Sequence, residues 1–263
     1  MTTAVQAPGV MAPSSIKMPL WRQFGLMFNW QVRRSADMLV FYVIVQLLLS
    51  VATVIGYGLI IGDPPVEAAR YLVTGAPTIS LVMVGLVMTP QFVAQSRTEG
   101  SLDWMRALPI SRPVFLLADL AVWALIALPG VILCVVIGVL RFDVPLSLSW
   151  TLLPAAALVA LTAASIGYAI ANLCPPALAQ LLSQVFVFVV LLFSPLSYPA
   201  SRLPGWAQTL HDVLPVESMG DLMRAGLMTD VFGAEVGVRQ WAVVVGWCAL
   251  SVAGAAWALG RRN

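Results

Sequence analysis

The stretch MLVFYVIVQLLLSVATVIGYGLII, residues 38–61, decides the fold class of this chain. It contains no Asp, Glu, Lys, Arg or His. An α-helix needs about 20 apolar residues to cross the roughly 30 Å hydrocarbon core of a bilayer. The apolar residues are continuous and do not alternate with polar ones, which argues against a strand of a transmembrane barrel. Because backbone polar groups in lipid must be hydrogen-bonded internally, the stretch predicts a membrane-spanning helix.

Five further stretches share this apolar character, and they are residues 73–94, 114–140, 150–171, 178–196 and 241–259. Of all residues 60% are hydrophobic and only 10% are charged, whereas a soluble domain has about 25% charged residues. We therefore predict an all-α polytopic membrane protein in which residues 37–263 form six transmembrane helices. The net charge of +2 does not indicate a nucleic-acid partner.

The basic residues predict the orientation of the six spans. With both termini inside, the cytoplasmic segments hold nine of the fourteen basic residues, which are Lys17, Arg22, Arg33, Arg34, Arg97, Arg106, Arg112, Arg261 and Arg262. The outer segments hold the other five, Arg70, Arg141, Arg202, Arg224 and Arg239. Cytoplasmic loops carry the excess of Lys and Arg. This predicts a multi-pass protein of a bacterial inner membrane with cytoplasmic N- and C-termini.

The N-terminal part predicts a disordered cytoplasmic tail over residues 1–16, followed by an amphipathic helix over residues 17–36. In the helix Trp21, Phe24 and Phe28 recur at three- and four-residue spacing, and the arginines lie largely on other faces. Tryptophan with flanking arginine suits a helix that lies in the membrane interface against lipid. The alternative is an irregular juxtamembrane segment with scattered aromatic residues.

The segment RTEGSLDWMRALPISR, residues 97–112, is the one predicted cytoplasmic loop between spans that contains charged residues. Ser101 is suited to cap a short helix and Pro109 to end it. Such a helix presents apolar and charged side chains together, which predicts a docking element for a soluble partner. The alternative is a solvated connector without a partner.

The outer segment, residues 197–240, keeps an apolar helical spacing between its prolines. Leu203, Trp206, Leu210 and Leu214 follow this spacing, and residues 221–228 repeat it. We predict two short re-entrant helices between spans five and six. Helices that lie flat on the outer surface are the alternative.

No residue pattern predicts an enzyme, a metal site or bound nucleotide. The only lysine, Lys17, is not part of a glycine-rich phosphate loop, so the chain lacks the nucleotide-binding motif GxxxxGK[ST]. The three cysteines and the only histidine, His211, lack metal-ligand spacing. We expect no cofactor in this chain, and any ATP energy must come from a partner.

Two groups of motifs resemble those of the membrane subunit of type-2 ATP-binding-cassette exporters. The first is Glu99-Gly100-Ser101-Leu102-Asp103 followed by Leu108-Pro109-Ile110-Ser111-Arg112, similar to the coupling-loop pattern E-x-G-T-L-E…T-P-x-S-R. The second group is Ser194-Pro195-Leu196-Ser197-Tyr198-Pro199, Leu203-Pro204-Gly205-Trp206, Leu214-Pro215 and Arg224. It resembles the end of the fifth helix and the outer re-entrant helices. The resemblance spans nearly the whole chain.

The resemblance implies a permease that pairs with a second copy or a homologue and docks two ATPase subunits, which bind ATP and Mg²⁺. The implied coupling residues are Glu99, Gly100, Leu102, Asp103, Trp104, Arg106, Leu108, Pro109 and Arg112. The implied residues of the outer segment are Tyr198, Pro199, Pro204, Trp206, Pro215 and Arg224. Asp119 stands where many family members have lysine, and a carboxylate there is costly unless it is paired or close to water. Arg97, Arg106 and Arg112 are the candidate partners, and a proton relay is the alternative to such a structural pairing.

Two polar sets at helical spacing are candidates for a substrate path. They are Gln46, Ser50 and Thr53 in the first span, and Gln180, Ser183 and Gln184 in the fifth. The alternative role for such residues is to hold helices together. The leading functional hypothesis is outward, ATP-driven transport of a hydrophobic or amphipathic compound, such as a drug, lipid or glycoconjugate. A polysaccharide or lipo-oligosaccharide exporter, an ion-coupled transporter and a membrane enzyme are the competing hypotheses, in that order.

Overall fold

The computed structural model describes residues 18–34, 36–62, 64–98, 100 and 111–261, and the structural statements below concern these residues. Most of them are helical, and the helices are α1 (Leu20–Arg34), α2 (Ala36–Ile61), α3 (Val66–Met83), a π-helical segment (Val84–Met88), α4 (Thr89–Thr98), α5 (Arg112–Phe142), α6 (Leu152–Leu173), α7 (Pro176–Phe193), α8 (Gly205–Val213), α9 (Pro215–Leu227), α10 (Thr229–Phe232) and α11 (Val238–Arg261). Two 3₁₀ turns lie at Ala200–Arg202 and Gly233–Glu235. The all-α prediction is confirmed.

Four of these helical segments are long and apolar enough to cross a membrane: Val66–Thr98, Pro113–Phe142, Leu152–Leu173 and Val238–Leu259. Two shorter apolar stretches, Val40–Gly56 and Pro176–Leu191, lie in α2 and α7. All six coincide with the apolar runs of the sequence, and the count of six spans stays a prediction. The second helix begins at Val66, earlier than the predicted residue 73, because Pro65 directly precedes its first turn and Glu67 suits a helix N-terminus.

The continuous helix α3–π–α4 is the centre of the bundle, because it packs on α2, α5, α6 and α7 and nearly all of its apolar length is buried. The π segment lies just before Pro90, whose nitrogen carries no hydrogen to donate. There the backbone N–H of Thr89 bonds the carbonyl of Val84, five residues back. The sequence therefore places a change of helical register in the middle of the central helix.

Glycine lets α6 approach this register change at backbone contact distance. A Cβ atom on Gly167 would come within 3.0 Å of the Gly85 carbonyl oxygen, and one on Gly85 would meet Ala163. Real Cβ atoms essentially never approach so closely. Such small-residue contacts are the usual means of tight helix association in membranes.

The two ends of the bundle differ in structure. At the distal end, which carries residues 194–237, the segment after α5 pairs with the end of α9 through an isolated bridge between Ser147 and Met228. A Cβ atom on Gly75 of α3 would fall within 3.0 Å of the Leu196 carbonyl oxygen, so the chain after α7 lies directly against α3. The opposite, proximal end carries α1, the end of α4 and the short α6–α7 turn.

Candidate functional site

The proposed coupling loop falls almost entirely outside the described residues. This holds for Glu99, Leu102, Asp103, Trp104, Arg106, Leu108 and Pro109, and for the side chain of Arg112, whose backbone begins α5. Gly100 is described: it is exposed, its φ is 71°, and its N–H lies 3.3 Å from the Arg97 carbonyl oxygen. A positive φ favours glycine, so Gly100 suits the abrupt end of α4.

The residues that flank this loop are fastened to the rest of the proximal end. The Arg97 guanidinium donates to the carbonyl oxygens of Ala171 and, at 2.9 Å, Cys174, which belong to the last turn of α6 and the residue after it. On the other side of the loop, the N–H and hydroxyl of Ser111 each lie 3.4 Å from Oε1 of Gln23 in α1. A displacement of the loop would therefore act on the α6–α7 turn and on α1.

Helix α1 has one face on the bundle and one exposed face. Met27 and Gln31 are buried, and Phe28 packs against the core. Trp21 is 70% exposed, with the Arg22 guanidinium 5.3 Å from its ring centroid. Phe24 lies at the margin of the exposed face, its ring centroid 6.1 Å from that of Phe28. This arrangement has the form that an interfacial helix requires, and the location in the membrane interface stays a prediction.

The first candidate path set lies between helices. The Gln46 amide donates to the backbone and hydroxyl oxygens of Ser80 in α3, and the Ser50 hydroxyl lies 3.3 Å from the Ser80 hydroxyl. Gln46 and Ser50 are fully buried. Thr53 is half-buried and donates to the Leu49 carbonyl of its own helix. For Gln46 and Ser50 this geometry favours the alternative role of joining helices.

The second candidate path set lies on α7 and divides between two faces. Ser183 is buried and donates to the Ala179 carbonyl, 2.8 Å away. Gln180 and Gln184 are exposed, one helical turn apart, on a face that is otherwise apolar. An amide exposed to lipid leaves hydrogen-bonding groups unsatisfied. Among the six candidate path residues these two are the ones that face away from the bundle.

Asp119 of α5 is 7% exposed, and the basic residue that acts on it electrostatically is Arg34 at the end of α1. Arg97, one of the partners expected from the sequence, is bonded to the α6 carbonyls. The expected partners Arg106 and Arg112 have no described side chains. Sequence reasoning missed Arg34 because the two residues are distant in the chain and no short motif connects them.

Arg224 of α9 is the centre of the distal end. Its side chain is 4% exposed and donates to the Asp221 carboxylate at 2.6 Å. It also donates to the carbonyl oxygens of Pro195, at 2.5 Å, and Leu196, at 2.8 Å. The guanidinium lies 4.7 Å from the ring centroid of Tyr71 in α3. One buried cation therefore joins α9, the end of α7 and the central helix.

The other outer-segment residues mark the starts of short helices or line a cavity. Pro199 precedes the Ala200–Arg202 turn, Pro204 precedes α8 and Pro215 is the first residue of α9, positions where the missing N–H of proline costs little. Trp206 is exposed on α8. Tyr198 and Pro199 line a cavity of about 430 Å³ together with Glu67, Ala68, Tyr71, Leu72, Ser197 and Arg202.

A second cavity, of about 220 Å³, also borders Tyr71. It is lined by Tyr71, Pro195, Ala200, Glu217, Asp221, Arg224, Phe232 and Val236. Burial raises the pKa of the half-buried Glu217 carboxyl, and the charges of Asp221 and Asp212 raise it further, against the lowering effects of Arg224 and Arg239. Burial also raises the pKa of Asp221, which Arg224 opposes. The folded protein thus holds a poorly stabilised negative charge in this cavity.

The raised pKa of Glu217 predicts how the stability of the protein changes with pH. Because the pKa of Glu217 is raised in the folded state, the folded protein keeps the proton in a pH range where the unfolded chain has lost it. The contribution of Glu217 to the free energy of unfolding is therefore fully present below the ordinary glutamate pKa. It is lost as the pH rises through the raised pKa of the folded state. We expect Glu217→Gln to be more stable than wild type at pH 7 and the difference to vanish near pH 4. Thermal unfolding across this range tests it, and equal stability of both proteins throughout would contradict it.

The sequence comparisons agree with this architecture. No curated protein matches the chain. The family model described as "ABC-2 family transporter protein" matches residues 60–257, which include the central helix, the proposed coupling loop, α5 to α10 and most of α11. Together with the long apolar helices, the match makes this a multi-pass membrane protein. The chain belongs to the ABC-2 family of transporter proteins.

Proposed function

We propose that this chain is the permease subunit of an ATP-driven exporter that moves a hydrophobic or amphipathic compound outward across a bacterial inner membrane. Family membership over residues 60–257 supports a permease that works with separate ATP-binding-cassette ATPase subunits. The chain itself lacks a glycine-rich phosphate loop. ATP and Mg²⁺ are therefore bound by the partner.

The observation that carries this proposal is the attachment of both flanks of the 99–112 loop. ATPase subunits dock on this loop, with Leu102, Asp103 and Trp104 among the contact residues. Closure of the ATPase on ATP displaces the loop. Arg97 transmits the displacement to the α6–α7 turn, and the contact between Ser111 and Gln23 transmits it to α1. The coupling free energy between ATP and substrate passes through these two contacts.

Two copies of the chain, or this chain and a homologue, form the substrate path. The six apolar helices span the membrane with both termini in the cytoplasm. The exposed face of α7 that carries Gln180 and Gln184 faces the second subunit and the path, because amides exposed to lipid are costly. Helices α8 and α9 are the outer re-entrant helices, and α1 lies in the inner interface, where Trp21, Phe24 and Phe28 meet lipid.

Transport into inverted membrane vesicles tests the function and its direction. Vesicles that contain this chain and its ATPase are given ATP and a panel of fluorescent lipophilic dyes. We expect accumulation that persists when the proton gradient is collapsed and is lost when the phosphate-loop lysine of the ATPase is replaced by alanine. Accumulation in right-side-out vesicles instead would make the protein an importer.

The alternatives give different results in the same system. An ion-coupled transporter would accumulate dye without ATP and stop when the gradient is collapsed. A polysaccharide or lipo-oligosaccharide exporter would leave the dyes unmoved, and deletion of its gene would remove the corresponding glycan from the cell surface. For Asp119 we propose a structural pairing with an arginine, Arg34 among the described ones, rather than a proton relay.

A further inference from the structure

The N-terminal part of the chain carries positive charge that no nearby acid in the sequence balances. Residues 17–34 contain Lys17, Arg22, Arg33 and Arg34, and the first acidic residue of the chain is Asp37. Clusters of roughly four to eight basic residues on an amphipathic helix, or directly cytoplasmic of a membrane span, are typical of segments that bind anionic lipid. The contacts of the arginines decide whether this charge is free to reach lipid.

The three arginines of α1 differ in their surroundings. Arg34 acts electrostatically on the buried Asp119 of α5. Arg33 is exposed and, within the described part of the chain, its side chain has no hydrogen bond, ion pair or ring contact. Arg22 is exposed as well, and its guanidinium lies 5.3 Å from the ring centroid of Trp21 rather than beside an acid. Two of the three guanidinium groups are therefore available to an anion outside the bundle.

These two arginines lie on one exposed stripe of α1. The stripe consists of Arg22, Leu26, Asn29 and Arg33, which are all exposed and follow one another at three- and four-residue spacing; it is called the basic stripe below. Met27, on the opposite face, is buried against the bundle. At a rise of about 1.5 Å per residue the two cations are about 16 Å apart along the helix. A charged surface can contact both, whereas one small anion cannot.

The position of α1 in the chain places the basic stripe next to the membrane. Helix α1 ends at Arg34 and α2 begins at Ala36, directly before the apolar run of residues 38–61. Leu26 within the stripe is 59% exposed, and Trp21 beside it is 70% exposed. A face that mixes arginine with exposed tryptophan and leucine suits the boundary between head groups and acyl chains. It suits a purely aqueous surface less well, because the apolar groups would then be exposed to water.

We propose that the basic stripe binds the phosphate groups of anionic phospholipids in the inner leaflet. Arg22 and Arg33 contact the phosphates, and Trp21 and Leu26 lie at the level of the upper acyl chains. Guanidinium groups pair strongly with phosphate oxygens. This inference rests on the proposed location of α1 in the inner interface and adds the class of lipid that the helix selects. The binding involves no ATPase, so it is tested on this chain alone.

Photolabelling of the full chain in phosphatidylcholine nanodiscs tests the proposal. A small fraction of the lipid is a photoreactive phosphatidylglycerol, and a photoreactive phosphatidylcholine with the same acyl chains is the control probe. Mass spectrometry measures the label on the peptide that contains α1. We expect the anionic probe to label this peptide more strongly than the control probe. Unlabelled phosphatidylglycerol should compete, and soluble glycerol 3-phosphate should not.

Charge variants identify the residues that bind the lipid. An arginine near an anionic surface strengthens binding about fivefold, so Arg22→Gln combined with Arg33→Gln should lower the anionic labelling of α1 at least about tenfold. Arg22→Lys with Arg33→Lys keeps the charge and should keep the preference for the anionic probe. Arg202→Gln with Arg239→Gln removes the same charge from two exposed residues of the distal end and should leave the labelling of α1 unchanged.

Several results would overturn the proposal. They are equal labelling of α1 by both probes, unchanged labelling in the double glutamine variant, and competition by glycerol 3-phosphate as effective as that by the lipid. A double glutamine variant that keeps the labelling but no longer retains a co-expressed ATPase would make the basic stripe a docking surface for that protein instead. Because the labelling contains no ATPase, its failure would leave the proposed export function untouched, and a failed transport assay would leave the lipid site untouched.

Discussion

Replacing Arg224 with methionine is expected to destabilise the protein by about 3 kcal/mol or more, because a buried cation is removed from three oxygen acceptors, one of them on the partly exposed Asp221. The change keeps much of the side-chain volume but leaves the Asp221 carboxylate unpaired. It also removes the donors for the carbonyl oxygens of Pro195 and Leu196. The contact with the Tyr71 ring is lost as well. Thermal unfolding of the purified chain in detergent measures the effect.

Arg239→Met is the matched control. Arg239 also pairs with an aspartate at 2.6 Å, but both side chains of that pair are more than half exposed. Exposed ion pairs contribute between 0 and about 1 kcal/mol. Arg224→Lys should recover only part of the stability, because an ammonium cannot reproduce the planar fork of a guanidinium. If Arg224→Met and Arg239→Met unfold at the same temperature, Arg224 does not hold the distal end together.

A valine at position 167 is expected to have the second large effect, because it forces α6 away from the central helix. The new Cβ would meet the Gly85 carbonyl oxygen within 3.0 Å, and Pro90 lies on the same side. Overpacking a tight contact costs roughly 1–3 kcal/mol. Backbone atoms cannot move aside as a side chain can, so we expect the upper part of that range. Yield of folded protein and the unfolding temperature report the loss.

Gly254→Val in α11 separates this clash from the general effect of a valine in a helix. Apart from its chain neighbours and the backbone of its own helix, no atom lies within 4 Å of a Cβ built on Gly254. The control protein should therefore unfold close to the wild-type temperature. A Gly167→Val protein that is as stable as the Gly254→Val protein would mean that α6 does not pack on the π segment as described.

The helices could be predicted from the sequence because lipid imposes a simple rule on composition. A run such as residues 38–61 has only one way to satisfy its backbone in a membrane. Two prolines also mark the starts of helices: Pro65 precedes α3, and Pro215 begins α9. The register change in the central helix was missed, because Pro90 alone does not indicate whether a helix kinks, ends or widens.

The contacts that build the site could not be predicted in the same way, because they join residues far apart in the chain. Arg224 was recognised in the sequence as part of a motif. Two of the acceptors of its guanidinium, however, are the backbone carbonyl oxygens of Pro195 and Leu196, and no side-chain pattern indicates such acceptors. The attachment of Ser111 to Gln23 likewise depends on how α1 folds back on α5. Only Asp221, three residues before Arg224, lies at a spacing that indicates a pair.

Co-purification with an ATPase tests the central claim of this account most directly. The full chain is expressed with an ATP-binding-cassette ATPase encoded beside it, and the amount of ATPase retained is compared for wild type, Leu102→Glu and Asp103→Arg. Asp230→Arg, an exposed residue at the distal end, is the control. We predict that wild type and the control retain the ATPase and that both loop variants lose it. A wild-type chain that purifies alone and transports without ATP would contradict the account.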